Sequence, residues 1–180
     1  HAFMGCTALK KVVIPETVNT FGNDLFSGCN TLTDITMPSK MTTINSGCFY
    51  NCKELLSITI PEGITAINGS LFYGCNKLEV INLPKTIETI GLWAFSACNA
   101  LKEIRLGTMI KSIEAGAFYN CWSLNTITCE ASTLPAITGT NGNSPFTGAF
   151  KAEFCTLHVP FTAYNKYKEN AVWNVMSNIV

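Results

Sequence analysis

Nine cysteines, two histidines, two aspartates and ten glutamates are the side chains of this 180-residue chain best suited to ligate a metal or to transfer a proton near neutral pH. Such chemistry requires them to converge. Zinc sites want closely spaced Cys pairs with further Cys or His, and the nearest cysteine pair is Cys48 and Cys52. The two aspartates, Asp24 and Asp34, fall in different segments, and the glutamates are scattered. His1 is the first residue, and His158 points outward from a strand in which Cys155, Leu157 and Val159 alternate with Thr156 and His158. No phosphate-cradling glycine loop follows a strand. The residues indicate no catalytic, metal or cofactor site. An enzyme would need a pocket built by loop 138 to 153 with Glu153 and His158. Asn68-Gly69-Ser70 formally matches a glycosylation acceptor but reads first as a corner.

Composition narrows the partners. Twelve basic and twelve acidic groups give zero formal net charge, and only 13% of residues are charged against 47% hydrophobic. A nucleic-acid binder would carry a basic stripe, so nucleic acid is excluded as a partner. No apolar run approaches the roughly 18 to 20 residues of a membrane-spanning helix, so the chain is expected not to span a membrane.

The elements that position these groups follow from a repeat. Phe3, Phe26, Phe49, Phe72, Phe95 and Phe118 fall 23 residues apart, as do Cys6, Cys29, Cys52, Cys75, Cys98 and Cys121, and Leu9, Leu32, Leu55, Leu78, Leu101 and Leu124. An alternating pair follows in each unit, Ile58 and Ile60 for example, which is the period of a strand. Pro15, Pro38, Pro61 and Pro84, with Gly107 in the fifth unit, end that strand at a first corner. Gly22, Asn45, Asn68, Gly91 and Glu114 mark a second corner, mostly with residues that tolerate positive φ. Gly5, Gly28, Asn51, Gly74, Ala97 and Asn120, each just before a periodic Cys, mark a third. A coil with three corners and an apolar interior is a solenoid rung. Its five or six buried side chains contribute on the order of 10 kcal/mol. Ordering its backbone costs more, at about 1 to 2 kcal/mol per residue, so no rung folds alone.

Six of the nine cysteines therefore share one column. Rungs about 4.8 Å apart with parallel Cβ vectors hold neighbouring Cβ atoms too far apart for disulfides, which predicts buried thiols. Cys48 shares its column with Ala2, Leu25, Leu71, Ala94 and Ala117 and reads as core filling; Cys129 replaces an aliphatic residue in the strand column.

The pattern F-x-x-C-x-x-L-x-x-I-x-I-P-x-x-(V/I)-x-x-I-(G/N) resembles the 23-residue leucine-rich repeats of the BspA-like family of bacterial and protozoan surface proteins. The resemblance implies a leucine-rich-repeat solenoid, β-rich with short helical or 3-10 segments and a C-terminal capping strand and helix. Residues 1–137 would form six 23-residue repeats, the first truncated, and 138–180 an irregular loop and the cap of the same domain. Where the general repeat consensus has an asparagine ladder, this chain has Thr17, Lys40, Gly63, Thr86 and Met109, so the backbone there must be satisfied differently. In the cap, the strand ending at Pro160 is expected to be the last. Thr162 is expected to N-cap a helix over residues 163 to 169, with Lys168 near its C-terminal dipole. The first rung has no cap in this sequence, which suggests missing upstream repeats or an end-to-end dimer through that rung.

Function then falls to the surface. Outward strand residues Thr36, Thr59, Asn82, Arg105 and Thr128, flanked by Ser57 and Glu103, are the candidate partner-binding residues. A weakly charged face suits a protein or glycan, although threonine columns also simply favour β structure. Tyr50, Tyr73 and Tyr119, with Trp93 and Trp122, form a second candidate set that serves equally to cover the core. The resemblance implies a non-catalytic cell-surface or secreted adhesion module binding an extracellular or host protein or glycan. The alternative is a structural spacer with no ligand of its own.

Overall fold

A computed structural model describes residues 1–138, 144–146, 148 and 154–180. The chain winds as a β-solenoid of about seven turns. One side of the coil is built from β1 (Lys11–Val13), β3 (Asp34–Thr36), β5 (Ser57–Thr59), β7 (Val80–Asn82), β9 (Glu103–Leu106), β11 (Thr126–Cys129), β13 (Thr156–His158) and β14 (Asn178–Ile179). A second side is built from β2 (Thr20–Phe21), β4 (Thr43–Ile44), β6 (Ala66–Ile67), β8 (Thr89–Ile90), β10 (Ser112–Glu114) and β12 (Ala136–Thr138). Every pairing is parallel, with equivalent repeat positions opposite one another, as in Ile58↔Ile81 and Ile90↔Ile113. The strand ladders are not continuous. Among the described residues β3 and β5, β7 and β9, and β4 and β6 belong to separate sheets.

The third side, around the Phe column, has no such gap. Phe26, Phe49, Phe72 and Phe95 each donate their N–H to a carbonyl of the following rung at 2.8–3.0 Å. Phe118 donates to Pro145 at 2.9 Å and Asn120 to Gly148 at 3.2 Å. Most of loop 138 to 153 lies outside the described residues, but Pro145, Phe146 and Gly148 show that the chain returns to rung register. Phe146 stacks on Phe118 at 5.8 Å although it follows 28 rather than 23 residues later.

The core is a set of columns. From Phe3 to Phe146 the rings are parallel within 9° with centroids 5.3–5.8 Å apart, an offset stack. Trp173 closes the column edge-on to Phe146 at 5.2 Å, and Tyr167 stands edge-on to Trp173. Phe3, in the first rung, remains 43% exposed, whereas Phe26 through Phe118 are fully buried.

Three expectations need correction. The residues with positive φ at the second corner are Asp24, Gly47, Ser70, Trp93 and Gly116, two positions beyond Gly22, Asn45, Asn68, Gly91 and Glu114. The chain completes the strand before turning, and Asn68 uses its side chain instead, donating to the Ile44 carbonyl at 2.7 Å. β13 is not the last strand, because β14 pairs with it in parallel. Thr162 caps nothing: a 3-10 turn over Phe161–Ala163 runs directly into α1 (Tyr164–Glu169), so Ala163 occupies the N-cap and no side chain bonds the first turn. Lys168 does stand in the last turn. The third corner is as expected, with positive φ at Gly5, Gly28, Asn51, Gly74, Ala97 and Asn120.

Ala97 holds φ 60 where every other rung has Gly or Asn. An L-residue with a Cβ pays about 1–2 kcal/mol in that conformation, partly offset by the larger unfolded-state entropy of glycine. Ala97→Gly is therefore expected to raise the Tm by about 2 °C, measured by calorimetry.

Candidate functional site

The cysteine column is built from the third corner. After each left-handed residue the thiol turns inward and donates to the carbonyl of the Phe in the preceding rung, as Cys52 does to Phe26, Cys75 to Phe49, Cys98 to Phe72 and Cys121 to Phe95, at 3.1–3.2 Å. All nine cysteines are free, and all but the half-buried Cys6 are buried. The thiols thus act as core residues that also tie rung to rung. Elsewhere a hydroxyl does the same, with Thr86 donating to the Ile64 carbonyl at 2.7 Å. Of the positions where an asparagine ladder would stand, Thr86 thus satisfies backbone carbonyls with its hydroxyl. Gly63, at another of the ladder positions, allows the Met41 carbonyl so close that a Cβ would meet it at 2.4 Å. Cys48 and Cys129 are fully buried, as core filling requires; Cys129 also contacts the Tyr167 hydroxyl at 3.2 Å.

Burial pushes these thiols up, Cys48 to about 11 and Cys121 and Cys155 to about 12, and raises Cys75 and Cys98 well above the usual thiol range. They are poor nucleophiles and poor metal ligands. Among the described residues no three His, Cys, Asp or Glu side chains converge on a metal-sized site. His158 is exposed opposite Thr128 in the neighbouring strand, while Glu153, its partner in an enzymatic reading, lies outside the described residues. No helix among the described residues is long and apolar enough to cross a membrane.

The strand face brings the other candidates together in two groups. Thr36, Ser57 and Thr59 line a cleft of about 530 Å³ over the junction where β3 and β5 lack a ladder, joined there by Asp34, Ser39 and Glu62. Asn82 reaches back to the Thr59 hydroxyl at 3.1 Å. Farther along, Glu103 stands opposite Thr126, and Arg105 opposite Thr128. Arg105 is not a free cation, because its guanidinium is held by Glu130. Charges on other sides are spent the same way, between adjacent rungs: Lys77 with Glu54 at 2.7 Å, Lys102 with Glu79 at 3.0 Å and Lys111 with Glu88 at 2.7 Å. Such exposed pairs contribute at most about 1 kcal/mol each. Ser39, Glu62 and Glu130 escape a reading of the strand alone, since they sit beyond its corner and meet it only across rungs.

Repeat geometry of this kind decides the family. The BspA-type leucine-rich repeat region matches residues 1–92 and 65–144, in six copies. The chain belongs to the BspA-type leucine-rich repeat family. A Treponema pallidum leucine-rich repeat protein is similar over 77% of this chain and 64% of its own, at 31% identity and a TM-score of 0.70. A Eubacterium ventriosum leucine-rich repeat protein is similar over 94% of this chain and 41% of its own, at 25% identity and a TM-score of 0.60. A Bacteroides ovatus leucine-rich repeat protein, 23% identical with a TM-score of 0.51 over 88% of this chain and 57% of its own, shares the fold. The chain thus spans less than two thirds of the length of each of these structures. No curated protein sequence matches it. Leucine-rich repeats of this family are generally non-catalytic protein-interaction modules.

Two outcomes follow from the thiol column. In native protein at pH 8 a maleimide is expected to label Cys6 alone, with eight further thiols reacting after denaturation, as counted by mass spectrometry. An unfolded thiol ionises near about 8.5, whereas the buried ones stay protonated to higher pH. The unfolded chain thus loses protons that the native chain keeps, and stability falls as pH rises above about 8.5. The urea midpoint under reducing conditions should drop between pH 7.5 and 10.

Proposed function

We propose that this chain is a cell-surface or secreted adhesion module that binds an extracellular or host protein through its strand face. In this reading residues 1–137 are the six-repeat array and 138–180 an irregular loop plus the cap of the same domain. The observation that carries it is the cleft at the β3–β5 junction, where Thr36, Ser57 and Thr59 stand side by side on the exposed face. Hydroxyls on a rigid sheet hydrogen-bond a partner's polar groups with little desolvation cost, and pairing of Arg105 with Glu130 removes the strongest unspecific charge.

The test is binding of the purified chain to a panel of extracellular-matrix proteins at physiological salt, beside a Thr36→Arg, Thr59→Arg double variant. Both positions are exposed, so the fold should be unaffected. Saturable binding to at least one protein, weakened tenfold or more in the variant, is expected. Silence across the panel from folded protein would replace this reading with the spacer. Light scattering on the same sample reports self-association through the first rung, where Phe3 and Met4 are exposed.

A further inference from the structure

The second corner carries a groove that shares no residue with the strand-face cleft. It measures about 450 Å³, within the range of about 300–1,000 Å³ typical of small-ligand sites. Its origin lies in the repeat. The left-handed column Asp24, Gly47, Ser70 and the positions just before it, Asn23, Ser46 and Gly69, carry small polar side chains or none. Leu92, in the next rung, closes the apolar end. At the other end the Asp24 carboxylate lies across Gly47 so closely that a Cβ there would stand 2.1 Å from Oδ1. Its Oδ2 lies 3.7 Å from His1 Nδ1.

Tyr50 forms the wall. Its ring stacks on Tyr73 with centroids 4.8 Å apart and planes within 5°. The preceding rung has Ser27 at that column position, so the tyrosine stack ends at Tyr50. Backbone groups of the floor are already bonded rung to rung, Asp24 N–H to Ser46 O at 3.0 Å, Gly47 to Gly69 at 3.1 Å and Ser70 to Leu92 at 2.8 Å. The side-chain polar groups are not so used: among the described residues, the hydroxyls of Ser46, Ser70 and Tyr50 and the amide of Asn23 bond no protein partner.

We propose that this groove is a binding site for a neutral saccharide, one or two pyranose rings in length. A pyranose presents an aliphatic C–H face and a rim of hydroxyls, which matches a tyrosine wall and Leu92 beside a row of hydroxyls, an amide and one carboxylate. The carboxylate accepts sugar hydroxyls in charge-assisted bonds and disfavours anionic sugars, since no lysine or arginine lines the groove and the one basic side chain beside it, His1, lies against Asp24 itself. The site is independent of the strand-face reading.

Titration of the intact chain with neutral gluco-, galacto-, manno- and N-acetylhexosamine oligomers, and with sialylated and sulfated ones, by calorimetry and saturation-transfer NMR tests it. A neutral oligomer should bind with a Kd of about 1 mM or tighter. Gly69→Gln fills the groove at little structural cost, because a Cβ there meets nothing closer than the Leu92 carbonyl at 3.4 Å and the backbone is not left-handed. It should weaken binding at least tenfold with an unchanged Tm. Asp24→Asn, with a residue that tolerates positive φ, should weaken it severalfold. Absence of binding by every neutral oligomer, preference for anionic ones, or full affinity in Gly69→Gln each overturns the proposal. The Thr36→Arg, Thr59→Arg variant should keep saccharide binding and Gly69→Gln should keep protein binding, so the two sites fail separately.

Discussion

Each rung of this protein can bury its interior only against the rungs on either side, and that dependence requires equivalent residues to meet at one register. The 23-residue step meets this requirement through two linked ladders around the Phe column. One is the N–H to carbonyl series that runs without a gap from Phe3 to Phe118 and on to Pro145. The other is the offset stack of rings from Phe3 to Phe146. A slip of one residue would break both at once. This explains why the strand sides tolerate interruptions at β3–β5, β7–β9 and β4–β6 while the Phe side does not.

Cysteine fits this constraint for a geometric reason. The thiol is small enough for a crowded column and can still donate to the Phe carbonyl of the preceding rung. Serine would bond more strongly but bury a hydroxyl, and alanine would leave the carbonyl with one partner fewer. The same burial that makes these thiols structural suppresses their ionisation and therefore their chemistry.

Because the interior is uniform, individuality is confined to where the columns change. Replacement of a tyrosine by Ser27 ends the Tyr50–Tyr73 stack, and small residues at Ser46, Gly47, Gly69 and Ser70 hollow the second corner until Leu92 closes it. The strand face carries its cleft at the β3–β5 junction, one of the places where its ladder is missing. The cap follows the same logic: Trp173 and Tyr167 supply the apolar surface that another rung would otherwise have to provide, and the Tyr167 hydroxyl finds the Ala131 carbonyl at 3.1 Å.

By itself the sequence determined the rung, its three sides, the buried Phe, Cys and Leu columns, the free thiols and the outward strand residues, because a strict period turns sequence spacing into spatial neighbourhood. It also located the third corner, where Gly and Asn announce positive φ. It misplaced the second, because Asp24, Ser70 and Trp93 adopt that conformation without a glycine to mark it. Outside the period its reach was short: neither β14 nor the return of Phe146 to register follows from local spacing, since both depend on chain that arrives from a distance. The candidate face was legible only as a set of outward residues. Only the tertiary structure decided that Thr36, Ser57 and Thr59 share a cleft, that Arg105 is bound by Glu130, and that a groove lies beside Tyr50. Those outcomes depend on rung-to-rung distances and side-chain pairings, which a linear period leaves free.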